Sequence, residues 1–380
     1  MSNDCNKICL NGCIKSYNNT NNTVFCNINA NDKYNVAIVF INGLGGTLTS
    51  PAYLSHLNDF CTANKISLFI PQFDSHPSFQ TKKIDEDIRN LCELFTSDIF
   101  VDNKKTNDIF VDNKKMNDNF YKYKEIFLLG HSTGCQVSLL FIKTLSDFIL
   151  NNTISKLESN LKQSKLGSKL ITEENKQLYG ELYNNIKGVI LQAPVSDVEG
   201  MEIVEKELPE YIKIAKEIIN NDKNNIINND KNNIINNDKN NIINNDNNLN
   251  NSVKKKEVIF YDNSYYCPYR FLSLYERNNT EDLFSSWIND NEYIKYNNIK
   301  HNCNNIKYDN NCNNIKYDNN CNDIKILSVV SGKDKYCYVD VKHKLKLMGE
   351  VKEIEGASHS LKEEEHQKEF IKIVEYFITQ

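Results

Sequence analysis

KEIFLLGHSTG, Lys124 to Gly134, runs from a continuous apolar segment straight into the pattern G-x-S-x-G, and a strongly apolar helical stretch, Cys135 to Ile149, follows at once. A strand that turns into a helix within so few residues forces the central residue, Ser132, into a strained backbone. Small residues at Gly130 and Gly134 let the neighbouring chain approach. The serine hydroxyl is then held above the end of a sheet, and the first turn of the helix aims unpaired N–H groups and a positive dipole end at the same point. Strand before and helix after give the pattern its meaning, and Ser132 reads as a nucleophile.

Outward from this turn the chain alternates. Val36 to Ile41 (VAIVFI), Ile66 to Ile70 (ISLFI), Ile186 to Leu191 (IKGVIL), Ile324 to Val330 (IKILSVV) and Glu350 to Ile354 read as further strands. Between them lie Ala52 to Ala63, the Ile84, Ile88, Leu91, Phe95 series and a closing helix near Phe370 to Phe377. Continuous apolar runs alternating with helices predict a mostly parallel sheet covered on both faces, the α/β class.

A serine nucleophile needs a base, and the base an orienting acid. His359, in EGASH just beyond the last short strand, and Asp334, in SGKD just after the fifth, fall at the carboxyl edge where such sheets carry their sites. Asp197, after the fourth strand in QAPVSD, is the alternative acid. For the oxyanion of a tetrahedral intermediate, the backbone N–H of Thr133 and that of Leu44, in the glycine-rich NGLGG after the first strand, are the expected donors. The order Ser132, Asp334, His359 is that of an α/β-hydrolase.

GHSTGCQ (Gly130 to Gln136), LQAPVSD (Leu191 to Asp197), YRFLSL (Tyr269 to Leu274), EDLFSS (Glu281 to Ser286) and SGKDKY (Ser331 to Tyr336) together resemble one family within the α/β-hydrolase superfamily. It is the DUF1749 (UPF0613) family, to which a fungal fusarinine C esterase belongs. The resemblance covers about Asn35 to Phe377 and implies a serine esterase with a lid between its fourth and fifth strands. In the fungal case it implies a substrate among hydroxamate siderophore esters. The chain departs from the pattern at Val198, where Arg is expected. The reading is therefore a carboxylic-ester hydrolase working through an acyl-enzyme on a small ester. A non-catalytic binding protein of the same fold and an acyltransferase are the alternatives.

Three short tandem repeats interrupt the pattern: DIFVDNKKTN from Asp98, NNDKNNII from Asn220 and CNNIKYDNN from Cys303. Periods of eight to ten polar residues cannot bury a face on a neighbour as solenoid repeats do, so they read as expanded surface loops. The expected organisation is an N-terminal extension over 1–34 and one hydrolase domain over 35–380. That domain would carry insertions at about 97–119, 151–180, 216–256 (in a lid region 198–290) and 291–323.

The net charge of −5 gives no basic field for nucleic acid, and no apolar run is long enough to span a membrane. With no secretory h-region at its start, the chain reads as cytoplasmic, and its twelve cysteines as free thiols. Cys5, Cys9 and Cys13, and Cys303, Cys312 and Cys321, recur at fixed spacings but lack the C-x2-C pairing of zinc sites. No metal and no cofactor are expected. The oligomeric state is left open.

Overall fold

Val36–Ile41 shows why the apolar runs are continuous. Ala37, Val39 and Ile41 join one buried cluster, while Ile38 and Phe40 join another across the sheet. Side chains alternate along a strand, so a strand covered on both faces must be apolar throughout. The computed structural model describes residues 10–17, 22–27, 34–73, 84–102, 121–151, 173–221, 259–261, 264–277, 279, 281–302, 307–308, 315–316, 324–337 and 341–380.

The strands are β1 (Cys13–Ser16), β2 (Thr23–Cys26), β3 (Val36–Ile41), β4 (Ser67–Gln72), β5 (Glu125–His131), β6 (Ile186–Gln192), β7 (Ile259–Tyr261), β8 (Ser264–Tyr266), β9 (Lys307–Tyr308), β10 (Ile315–Lys316), β11 (Lys325–Ser331) and β12 (Glu350–Ile354). Eight of them form one sheet in the order β1-β2-β4-β3-β5-β6-β11-β12. The six strands from β4 to β12 in that order are mutually parallel. β2 adds antiparallel to β4, and β1 antiparallel to β2. β7 pairs with β8, and β9 with β10, as two separate small ribbons.

The helices are α1 (Leu54–Ala63), α2 (Ile84–Phe95), α3 (Thr133–Asn151), α4 (Glu173–Asn185), α5 (Asp197–Val204), α6 (residues 208–221), α7 (Pro268–Tyr275), α8 (Asp290–Asn302), α9 (Lys342–Met348) and α10 (Glu364–Thr379). Leu54 and Leu57 of α1 and Phe370, Val374 and Phe377 of α10 cover one face of the sheet. Leu91 and Leu94 of α2, Leu139 and Ile142 of α3, and Leu182 of α4 cover the other. The spacing of Phe370, Val374 and Phe377 puts all three on one stripe of α10. This is the doubly covered, mostly parallel sheet expected, and it carries the α/β-hydrolase order of elements.

Several boundaries differ from the sequence reading. The segment 1–34, expected to be an extension, contributes β1 and β2, with Val24 and Cys26 fully buried. Four-residue strands offer too few alternations to announce themselves; here β2 gains order by hydrogen-bonding to the edge of β4, and β1 by hydrogen-bonding to β2. The first copy of DIFVDNKKTN is not a surface loop at its start, because Phe100 and Val101 are core residues and Phe100 packs on Phe69, Phe95 and Tyr123. Similarly, 291–302 is helix α8 rather than inserted loop, with Tyr293, Tyr296 and Ile299 at helical spacing on the core. The insertion placed at 151–180 ends in α4, and that placed from 216 begins inside α6, where Ile219 is buried. Residues 103–120, 152–172 and 222–258, and with them most of the first two repeats, lie outside the described residues, as do Cys5, Cys9, Cys303, Cys312 and Cys321. No helix among the described residues is long and apolar enough to cross a membrane.

Over the carboxyl edge of the sheet sits a lid with its own small core of Leu208, Ala215, Tyr266, Phe271, Leu274 and Tyr275, against which Leu44 and Met201 pack. A buried ion pair ties it down: Arg270 Nη1 donates to Glu281 Oε2 at 2.8 Å, with Arg270 1% exposed. Burial outweighs the arginine's attraction and pushes the Glu281 carboxyl up to about 7.

Candidate active site

β5 ends at His131, and α3 begins at Thr133, so Ser132 alone makes the turn. Its φ is +54°, the left-handed region that a side chain with a Cβ adopts only under constraint. The constraint is visible in its neighbours. A Cβ on Gly134 would lie 2.1 Å from the carbonyl oxygen of Ile41, and one on Gly130 would lie 2.4 Å from that of Gly134. The Ser132 amide is held by the carbonyl of Gln192 at 3.0 Å, which anchors the turn to β6.

Opposite the serine stands the loop after β3. A Cβ on Gly43 would come within 2.8 Å of Ser132 Cβ, so the loop can approach the hydroxyl this closely only with glycine there. Asn42 fixes the loop's path: its Oδ1 accepts the Gly43 amide at 3.0 Å, and its Nδ2 donates to the carbonyls of Thr47 and Ser50 at 2.8 and 2.6 Å. The amides of Thr133, at the first turn of α3, and of Leu44 donate to no acceptor among the described residues.

His359 lies in the loop between β12 and α10. Its Nδ1 is 2.7 Å from Oδ2 of Asp334, in the loop after β11, and the Asp334 side chain is 1% exposed. The other Asp334 oxygen accepts the amide of Tyr336 at 2.9 Å, so both oxygens are engaged and the carboxylate is fixed. The imidazole is flanked by the rings of His131, 5.1 Å away, and Tyr336, 4.9 Å away. Ser132 and His359 line one cavity of about 420 Å³, together with Leu44 and Asp197. No direct hydrogen bond joins the serine and histidine side chains; such bonds commonly tighten only when a substrate is seated.

The structure thus brings Ser132, His359 and Asp334 to one edge, with Thr133 and Leu44 beside the serine. Asp197 is brought to the same cavity but not to the imidazole. Its Oδ2 accepts instead from Gln136 Nε2 at 3.2 Å, and Ser196 caps its helix by accepting the Glu199 amide. Burial pushes the Asp197 carboxyl up to about 6, moderated by the charges of Arg270 and His359.

Two partners of this site lie inside the motifs GHSTGCQ and LQAPVSD, which do not themselves disclose the contact between them. Gln192, at the end of β6 and fully buried, accepts at Oε1 from the Tyr53 hydroxyl (3.1 Å) and from His131 Nδ1, and donates from Nε2 to the carbonyl of His359 (3.1 Å) and to Ser331 Oγ (3.4 Å). One side chain therefore ties together the elbow, the histidine loop and the end of β11. His131, buried beside His359, is pushed down to about 3 and is neutral, so its Nδ1 carries the proton that Gln192 accepts. Their partners lie 61 to 167 residues away in sequence, and only the register His131↔Gln192 between β5 and β6 brings them together.

A family model described as "Protein of unknown function (DUF1749)" matches residues 4–379. Curated proteins gave no match. Among solved structures, the siderophore hydrolase EstB from Aspergillus fumigatus is 17% identical, with a TM-score of 0.57 over 97% of this chain and 97% of its own. Est1E from Butyrivibrio proteoclasticus, solved with ferulic acid, is 11% identical, with a TM-score of 0.45 over 96% of this chain and 98% of its own. A soluble variant of monoglyceride lipase from Saccharomyces cerevisiae is 11% identical, with a TM-score of 0.46 over 97% of this chain and 94% of its own.

Proposed function

The chain belongs to the DUF1749 family, and from that premise we propose that it is a serine hydrolase of small carboxylic esters. The observation that carries this reading is the pairing of a strained, cavity-facing Ser132 with an imidazole on the same wall whose Nδ1 is bound to Asp334. Asp334 accepts a hydrogen bond from the Nδ1–H of His359, which fixes the tautomer and leaves Nε2 as the base. Ser132 Oγ attacks the ester carbonyl and gives its proton to Nε2. The carbonyl oxygen, now an anion, is held by the amides of Thr133 and Leu44. Collapse of the tetrahedral intermediate expels the alcohol, which takes the proton from His359. Water then attacks the acyl-enzyme with the same base, releasing the acid and restoring Ser132. An arrangement of this kind supports small esters that fit a cavity of about 420 Å³, and the description of EstB as a siderophore hydrolase is in keeping with a hydrolytic role.

The test is labelling with a fluorophosphonate probe together with turnover of p-nitrophenyl acetate. Wild-type protein should label at Ser132, and Ser132→Ala should neither label nor turn over, with kcat lower by roughly 10³-fold or more. A folded Ser132→Ala protein with undiminished esterase activity overturns the reading.

A further inference from the structure

The cavity beside Ser132 is chemically one-sided. Among the described residues that line it, Asp197 is the one carboxylate, and no lysine or arginine faces it. Tyr266 and Tyr275 of the lid and Tyr336 of the loop after β11 line it too. The first two are held edge to face at 6.0 Å with their hydroxyls 3.3 Å apart; Tyr336 is held against His359 and already has Lys335 Nζ 4.6 Å from its ring centroid. Asp197 spends one oxygen on Gln136; the other accepts from no group among the described residues.

We propose that this wall is a cation subsite: the ester attacked by Ser132 carries a positively charged amine, seated on the Asp197 carboxylate and against Tyr266 and Tyr275. The assignment rests on the reading of Ser132 as nucleophile and adds to it the charge of the substrate. A carboxylate with one donor and a cavity on its other side is stabilised most by a cation. Tyrosine faces attract an ammonium through the ring quadrupole and need no second charge in the protein. An anionic group in the same place would meet Asp197 with no lysine or arginine in the cavity's lining to offset it. Other charges near Asp197 leave room for this role. Arg270, its main cationic neighbour, is already paired with Glu281, and Asp282 adds a further negative field. Above about pH 6 the carboxylate is the charged form.

Isosteric ester pairs test the proposal without knowing the natural substrate. Acetylcholine against 3,3-dimethylbutyl acetate places the charge in the alcohol. The p-nitrophenyl ester of 4-(trimethylammonio)butyrate against that of 5,5-dimethylhexanoate places it in the acyl group. Within each pair a quaternary nitrogen replaces a carbon, so shape is held and charge alone differs. At pH 7.5 the wild-type kcat/KM should favour the cationic member of at least one pair by about tenfold or more. In Asp197→Asn that ratio should fall to about one. Equal kcat/KM within both wild-type pairs overturns the proposal, and that comparison stands even if the variant does not fold. A ratio that survives in folded Asp197→Asn also overturns it. Failure of Ser132 to label is a different outcome, since it removes the hydrolase reading and the subsite with it.

Discussion

Gln192 is where a single substitution should separate the site's architecture from its chemistry. Gln192→Met keeps the length of the side chain and every main-chain bond of β6, including the carbonyl that holds the Ser132 amide. It removes the acceptor for the Tyr53 hydroxyl and His131 Nδ1–H, and the donor to the His359 carbonyl. Tyr53 and His131 are both buried, so two donors lose their partner away from water. At about 1–3 kcal/mol for each stranded group, the fold should lose about 2–6 kcal/mol. For a domain of this size that lowers the unfolding midpoint by roughly 3–10 °C. The second effect is on the base. His359 keeps Asp334 but loses the bond that fixes its backbone, and a displacement on the order of 1 Å can cost about 10²-fold in rate. Gln192→Met should therefore lower kcat by roughly 10- to 100-fold with KM little changed, and slow fluorophosphonate labelling in parallel. Calorimetry and p-nitrophenyl acetate kinetics on the same preparation read both effects. A loss of stability with kcat intact would show that the amide only supports the fold. An unchanged midpoint would refute the count of stranded donors as well.

The parts of this molecule that were legible in its sequence share one cause. β3, β4, β5, β6 and β11 are read correctly because burial on both faces leaves each a largely apolar run, and the helices between them keep a single stripe. β12, at the sheet edge with only Ile354 buried, is the exception and has no such run. Ser132 is legible because the strand-to-helix turn demands glycines on both sides, and Asp334 and His359 because each follows a strand at the same edge. What failed to show has causes too. β1 and β2 are four residues long and depend on pairing with each other and, through β2, on the edge of β4, which no local pattern records. Phe100 looks like one member of a polar repeat, yet the first copy of that repeat packs on Phe69 and Phe95. The repeat is a property of the sequence; burial is decided by where the chain enters the sheet.

The network around the site was hidden for a different reason. Tyr53, His131, Gln192 and His359 come from four elements, and their hydrogen bonds follow from sheet register and loop placement. Composition and spacing carry no trace of such a set. The two candidate acids illustrate the limit: Asp197 and Asp334 both follow strands at the same edge, and only the folded chain sets Asp334 against His359 and Asp197 against Gln136.

Two further substitutions probe the electrostatics. Asp334→Asn should lower kcat by about 10⁴-fold through loss of the correct imidazole tautomer, whereas Asp197→Asn should cost much less on a neutral ester; the reverse ranking in p-nitrophenyl acetate turnover would move the acid to the loop after β6. His131 should reveal itself in the pH dependence of stability. Burial beside His359 lowers its pKa from 6.5 to about 3, so the folded protein keeps it neutral where the unfolded chain takes up a proton. As pH falls from 6.5 towards 3 the unfolded state binds more protons at this group, and stability is lost by up to about 1.4 kcal/mol per pH unit. Glu281 and Asp197 act in the opposite sense: raised to about 7 and about 6, they bind protons in the folded state first, and so add stability as pH falls through the same range. The wild-type protein sums these slopes, while His131→Asn removes the destabilising one and keeps the others. Urea unfolding at pH 7.5, 6 and 5 should therefore show the variant gaining stability relative to wild type as the pH is lowered. Parallel curves for the two proteins would mean that His131 is not held neutral by burial, and that the proton shared with Gln192 is wrongly placed.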